Sequence, residues 1–382
     1  MTLRFEPTPI AKGTRLDLEA LATRARPVDA AMRPAFLAQG AAQANLERLF
    51  RGDTLCITTG QQPGLFTGPL FTIYKALTAV ALARDAETRL GRPVVPVFWV
   101  AGDDHDFAEA NHLLLLTASN DVQRVTLRER GASAPLTPLY REPVGSEIEQ
   151  VFAALTASTP ETEFRPHVLA WLRRHYRPEA ELATAFSHAM AELLADQGLV
   201  VFQPMHAASK RVMAPLLLRL LECATELDQA LAHRARELEA AGSPAPVPVG
   251  DGASTIMLEA AMGRDRLVLQ GGSFATRRTG ERWTAADLQR VARATPERLS
   301  PNVLARPAVE AALLPTLAYV AGPGELAYLP QAAPIYRALD VPPQAAVARW
   351  SGWAIEARIA KVLEKFGITA DALNRPEGQL EA

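Results

Sequence analysis

Residues 53–84 read DTLCITTGQQPGLFTGPLFTIYKALTAVALAR, and the order of textures within them decides the fold. A short apolar run at 55–59 predicts a strand, a glycine-punctuated loop follows, and an apolar-periodic segment from near Leu70 predicts a helix. Gly60, Gly64 and Gly68 recur at four-residue spacing, which lets the backbone turn sharply and approach a ligand where a Cβ would collide. Amides left unpaired at the start of the helix would favour an anion there, a phosphate or a carboxylate. The pattern is not a P-loop, because no Lys-Ser or Lys-Thr pair follows the last glycine, and its glycine spacing is not that of the dinucleotide fingerprint. A ligand-free turn rich in Gly and Pro is the alternative. Gln61, Gln62 and Thr67 argue against it, since a tight turn needs no such set of donors and acceptors.

Beyond a weak turn at Gly91-Arg92-Pro93, residues 94–101 (VVPVFWVA) form a nearly unbroken apolar run, as expected of a strand covered on both faces in a parallel sheet. Strand, helix and strand make a right-handed crossover unit. In open α/β sheets ligands bind beyond the carboxyl ends of the strands, and there the chain reads Gly102-Asp103-Asp104-His105-Asp106-Phe107, then Glu109, Asn111 and His112. Three carboxylates around one imidazole can raise its pKa, hold a metal ion or bind an ammonium group. Aspartates capping a helix are the plain alternative, which leaves His105 without a role. His105 and His112 do not have the spacing of a helical zinc-binding pair, so no metal site is expected.

The rest of the chain extends this α/β pattern. Helices are predicted at 17–25, 35–50, 147–155, 164–176, 179–197, 209–241 and 345–366, and further buried strands at 199–202 and 317–321. The last strand ends in Gly322-Pro323-Gly324-Glu325 and leads into a helix, a second glycine loop at a strand end. Residues 1–120 and 300–370 read as the two halves of one core, with 166–243 supplying core helices and a strand. Residues 121–165, with Gly131, Pro135, Pro138 and Pro143, read as a small insertion, and 244–299, with strand-like runs between glycine turns, as a second one. Residues 371–382 read as a flexible tail. Arg264, Arg266, Arg277, Arg278 and Arg282 read as solvated surface rather than a basic binding face.

Composition sets outer bounds. With 382 residues, 48% hydrophobic and 21% charged, the chain has the balance of a globular protein with a sizeable core. A net charge of −2 gives no global attraction to nucleic acid or to a membrane surface, and no apolar run reaches transmembrane or signal-peptide length. Cys56 and Cys223 sit among apolar neighbours, as buried thiols of a reducing compartment do, so a cytoplasmic protein is expected.

Three blocks point to a family. TGQQPGLFTGPLFTIYKA (59–76), PVFWVAGDDHDFAEANH (96–112), and LSPNVLARP (299–307) followed by LPTLAYVAGPGELAY (314–328) resemble the cysteine-adding enzymes of bacillithiol biosynthesis, the BshC cysteine ligases. The likeness runs in order over roughly residues 1–370. It implies a Rossmann-like sheet with helices on both faces, two inserted connecting subdomains, and a C-terminal coiled coil that dimerises. It also implies a ligase reaction, the condensation of the cysteine carboxyl with the amine of glucosaminyl-malate to form an amide. This sequence departs from the family at Asp103, where Glu is expected, at Glu310-Ala311 in place of Gln-Asp, and at Ala348-Arg349-Trp350 in place of a Pro-Arg segment. It stops at Ala382 short of the coiled coil, which leaves the oligomeric state open.

Amide formation needs a deprotonated amine and an activated acyl group, so ATP with Mg is the expected co-substrate. Gly60, Gln61, Gln62, Gly64 and Gly68 would shape the ligand cradle, with Thr67 and Lys75 beside it. His105 would act as general base or phosphate contact, with Asp104 and Asp106 orienting it or binding the ammonium group and Asp103 adjoining them. Asn302 and Arg306 would meet substrate carboxylates, and Gly322, Gly324 and Glu325 would form the opposite wall. Small molecules are the expected partners, with no nucleic acid or membrane. Two other readings share these residues: a nucleotidyl or acyl transferase acting on another amine, and a non-catalytic relative that binds a nucleotide or metabolite.

Overall fold

Valine- and alanine-rich runs pair with one another at the centre of the protein. The computed structural model describes residues 3–10, 16–119 and 121–374. Its main sheet contains β1 (Phe36–Leu37), β2 (Leu55–Gln61), β3 (Val94–Val100), β4 (Val200–Phe202), β5 (Thr316–Ala321) and β6 (Ala345–Ala348). The spatial order is β6-β5-β2-β3-β4-β1, parallel throughout except for β1. Every residue of β3 and β5 is buried, which is why their sequences are apolar (β3) or nearly so (β5, after Thr316) instead of alternating.

The helix Phe71–Leu90 joins β2 to β3 and buries Ala76, Ala79, Ala83 and Ala86, small side chains that let it lie close on the sheet. Gly91, in the left-handed conformation (φ 63°), ends it. The chain thus leaves β2 toward β3 on one side, while β5 lies on the other. The crevice between the carboxyl ends of β2 and β5 is therefore the switch point at which such sheets bind ligands.

A second, antiparallel sheet is built from Ala253–Ala260, Gly263–Gln270, Ser273–Thr276, Arg282–Trp283 and Leu299–Pro301, with Ala253–Ala260 between Gly263–Gln270 and Leu299–Pro301. Its Ile256, Leu258, Leu267 and Phe274 share one apolar cluster with Val95 and Trp99 of β3 and with Met213 and Leu217 of the helix Ala207–Glu222. A common core thus holds this sheet against the main one. A two-stranded ribbon, His112–Leu116 with Val122–Thr126, leads into the helices Ile148–Ser158, Arg165–His175 and Leu182–Leu193, which pack around Phe152, Leu172, Tyr176 and Leu182.

Three predicted helices are corrected. The segment 35–50 is divided by Gly40 (φ 51°): Phe36 and Leu37 pair with Phe202 and Val201, and only Ala42–Leu49 is helical. The stretch 209–241 is two helices, Ala207–Glu222 and Ala224–Ala240, separated at Cys223. The segment 345–366 begins as β6, recruited by β5, continues as the strand Gly352–Glu356 paired with Leu3–Pro7, and is helical only over Ala357–Phe366. Local periodicity there is overridden by sheet edges that supply hydrogen-bond partners. Of the expected flexible tail, Asp371 accepts a hydrogen bond from Trp353 Nε1 at 2.9 Å within the short turn Ala370–Asn374, and residues 375–382 lie outside the described residues. Cys56 is buried in β2, whereas Cys223 is only half-buried. No described helix is long and apolar enough to cross a membrane.

Candidate active site

The first glycine loop differs from the expected cradle. A Cβ on Gly60 would stand 2.7 Å from the Trp99 carbonyl oxygen, and one on Gly64 2.9 Å from Gly68 Cα, so these two glycines serve the packing of the chain on itself. Several of the loop's amides are bonded within the protein. Thr67 N–H donates to Tyr176 OH (2.8 Å), Gly68 N–H to the Leu65 carbonyl (3.0 Å), and Thr72 and Ile73 N–H to the Pro69 and Leu70 carbonyls. Thr67 is buried, and with Phe66 it takes up left-handed backbone (φ 71° and 52°), held there by the Phe66 ring against Phe152 and Tyr176. Gly64, Thr67 and Gly68 therefore help to build the loop itself.

What the loop does present is Lys75. From the second turn of Phe71–Leu90 its ammonium group, 1% exposed, reaches back to the Gly60 carbonyl, to Gln61 Oε1 (3.2 Å) and to Glu325 Oε2 (2.6 Å). Glu325 belongs to the second glycine loop, where it also accepts from Gly322 N–H (2.7 Å) and Tyr319 OH. Arg306 lies 3.9 Å from Glu325, donates to Glu310 (3.1 Å) and Tyr328 OH (3.3 Å), and stacks over the Tyr319 ring. Gly60, Gln61, Lys75, Arg306, Gly322 and Glu325 thus meet at the switch point. Gly324 adjoins them, and a Cβ there would meet nothing within 4 Å.

Burial holds Lys75 below the ordinary lysine range. Burial alone would raise Glu325, but Lys75 and Arg306 outweigh it and keep that carboxyl low. Glu310, fully buried beside Arg306 and Thr58 Oγ1 (2.5 Å), is pushed up to about 7 by burial. A carboxyl with a raised folded-state pKa contributes stability at low pH that is lost as pH rises from 4.5 through 7, about 3 kcal/mol in all. The difference in unfolding free energy between wild type and Glu310→Gln should change by that amount over this window in denaturant titrations. A flat difference would mean that Arg306 keeps Glu310 ionised throughout.

The acidic loop after β3 makes a second constellation. Asp103 accepts from Lys210 Nζ at 2.6 Å, and that ammonium group, fully buried, also donates to the Leu299 carbonyl (2.8 Å). Asp104 accepts from the amides of His105 (2.6 Å) and Asp106 (3.2 Å), and Asp106 caps the turn Phe107–Ala110 by accepting from Glu109 N–H (3.2 Å). Asp106 is therefore a helix cap and Asp104 closes the turn before it, and neither is hydrogen-bonded to the imidazole. His105 instead meets Arg264, whose guanidinium lies 3.2 Å from Nδ1. Burial and Arg264 hold the imidazole below its ordinary pKa, the reverse of the shift expected from three carboxylates. Asn302 Oδ1 accepts from Leu304 and Ala305 N–H, capping Ala305–Leu313, so its carbonyl is not free for a ligand. Gln62 Nε2 donates to the Asp106 carbonyl (2.8 Å) and ties the two loops together.

Lys210 and Glu310 were not among the expected site residues, and Arg264 was assigned to the surface. One signal was available for Lys210: only five of the 40 Lys and Arg residues are lysines, and two of these, Lys75 and Lys210, interrupt apolar helix faces. Nothing local marks Arg264 or Glu310. Among the described residues no group of three or more His, Cys, Asp and Glu side chains is arranged to hold a metal ion.

Two buried lysine–carboxylate pairs at the ends of adjacent strands are not explained by stability, because apolar residues of the same volume hold such positions as well or better. They place fixed charges where such sheets bind ligands. The family model described as "Bacillithiol biosynthesis BshC, N-terminal Rossmann-like domain" matches residues 26–349. The chain belongs to the BshC family. Its sheet is accordingly the Rossmann-like core of a BshC protein, and the match takes in Lys75, Asp103, His105, Lys210, Arg264, Arg306, Glu310 and Glu325. Similar BshC relatives, each carrying the name "Putative cysteine ligase BshC", come from Koribacter versatilis (36% identical over 334 residues, 87% of this chain and 61% of the relative) and Salinibacter ruber (36% over 335 residues, 86% and 59%). A third, from Symbiobacterium thermophilum, is 35% identical over 355 residues, 87% of this chain and 63% of the relative. The chain spans about three fifths of the length of these relatives.

Proposed function

We propose that the protein is a cysteine ligase that condenses the carboxyl of cysteine with the amine of glucosaminyl-malate, with ATP and Mg as co-substrate to activate the acyl group. The observation that carries this reading is the placement of the Lys75–Glu325 and Lys210–Asp103 pairs at the carboxyl ends of β2, β5 and β3 in a chain of the BshC family. Glucosaminyl-malate and cysteine bring several carboxylates and amines, and a site of alternating buried cations and anions is suited to hold them in register. Positioning is the main requirement for joining two such substrates, and side chains locked by ion pairs supply it.

The test is incubation of purified protein with cysteine and glucosaminyl-malate, with and without ATP and Mg, followed by mass spectrometry for the condensed thiol. Product only in the ATP arm supports the full reading, and product in both arms removes ATP from it. A folded protein that yields no condensed thiol in either arm overturns the ligase assignment.

A further inference from the structure

Resting on the ligase reading, we propose that Arg264 holds His105 in its neutral, Nε2-protonated form, so that His105 donates a hydrogen bond to an anionic substrate oxygen and does not act as the base for the amine. A guanidinium carries only donors and stays charged, so a nitrogen bonded to it must offer its lone pair. With Arg264 at 3.2 Å from Nδ1, the proton of the neutral ring lies on Nε2. A proton on Nδ1 would be aimed at a cation.

The guanidinium is itself anchored. Arg264 Nε donates to Ser300 Oγ (2.9 Å), NH2 to the Pro301 carbonyl (2.9 Å), and the backbone N–H to the Leu136 carbonyl (2.8 Å). Four charged groups face the imidazole. Arg130 donates to the His105 carbonyl (2.8 Å), Asp104 lies 3.9 Å from Nδ1 with the same oxygen accepting two backbone amides, Asp106 is spent on its cap, and Arg264 is the one in hydrogen-bond contact with the ring. Nε2 has no protein partner among the described residues, and the His105 side chain is 25% exposed. An accessible donor on a neutral ring, at the carboxyl end of a central strand, suits a carboxylate or phosphoryl oxygen.

Long-range proton–nitrogen NMR on protein carrying nitrogen-15 histidine reads the tautomer directly, with the His105 signal assigned by its loss in His105→Gln, or in His105→Asn if the first variant does not fold. Nε2–H at neutral pH, with ordinary titration and mixed tautomers appearing in Arg264→Met, supports the assignment. Nδ1–H, or an imidazolium at neutral pH, overturns it whether or not the protein makes the thiol product. Titration with malate and with inorganic phosphate asks which anion moves the Nε2–H resonance, and no movement with either removes the donor role. If turnover is found, His105→Gln, which keeps an N–H near Nε2, should retain activity within about tenfold while His105→Ala loses about a hundredfold. Equal losses in both variants would indicate a base.

Discussion

Replacing Lys75 by methionine is expected to lower the unfolding free energy by about 3 kcal/mol, the lower end of what removing one partner of a buried ion pair costs. The cause is the carboxylate left behind. Glu325 would keep its bonds from Tyr319 OH and Gly322 N–H and its distant Arg306, but would lose the ammonium group 2.6 Å away, and the Gly60 carbonyl and Gln61 would lose their donor. The Glu325 side chain is 20% exposed, so water relieves part of the penalty. Adding Glu325→Gln to Lys75→Met should restore much of the stability, since the uncompensated charge is gone, while activity stays lost in both variants. Thermal melting and the thiol-forming assay separate the two effects. Wild-type melting in Lys75→Met would show that the pair is solvated and contributes nothing to the fold.

Gly263→Ala should cost a similar amount, about 3 kcal/mol, through the backbone rather than through charge. Gly263 has φ 82°, and a Cβ there would lie 2.4 Å from the carbonyl carbon and oxygen of Leu136 and 2.6 Å from its nitrogen. Neither a left-handed alanine nor a backbone clash can be relieved by turning a side chain, so the 131–139 segment must move. That contact joins the antiparallel sheet to the acidic loop: Arg264 N–H donates to the Leu136 carbonyl, and Leu139 N–H donates to the Asp104 carbonyl (2.7 Å). Displacing it draws Arg264 away from His105, so the imidazole should regain an ordinary titration. Gly324→Ala, with open space around the added Cβ, should change stability by no more than about 0.5 kcal/mol. Faster amide exchange at Leu136 and Arg264 in Gly263→Ala would report the displacement, and unchanged exchange and melting would refute it.

These two glycines also show how far sequence reading goes. Glycines at loop positions are visible in the sequence, but whether one is required by a neighbouring backbone or leaves room for a ligand depends on what packs against it. A Cβ on Gly60 or Gly64 would meet the Trp99 carbonyl or Gly68, while the space around Gly324 is open. The core strands β2, β3 and β5 were legible because burial on both faces makes a run apolar along its own length, and the connecting helix was legible because its buried residues recur at its own period. The ends of the 345–366 segment were not, because a strand at a sheet edge takes its hydrogen bonds from a distant chain segment.

The site divides in the same way. The sequence by itself determined the α/β sheet, its two glycine loops and one acidic loop at strand ends, and the candidacy of Lys75, His105, Arg306 and Glu325. Only the tertiary structure decided what each of those groups touches. Lys210 and Asp103 are 107 residues apart, His105 and Arg264 159, Lys75 and Glu325 250, and Thr58 and Glu310 252. Periodicity and capping are local, set by backbone geometry within a few turns, and so Asp106 caps its helix as the sequence pattern predicts. The protonation state of His105 and Glu310 depends instead on desolvation and on charges brought in by the packing of one sheet on another, which no local pattern encodes.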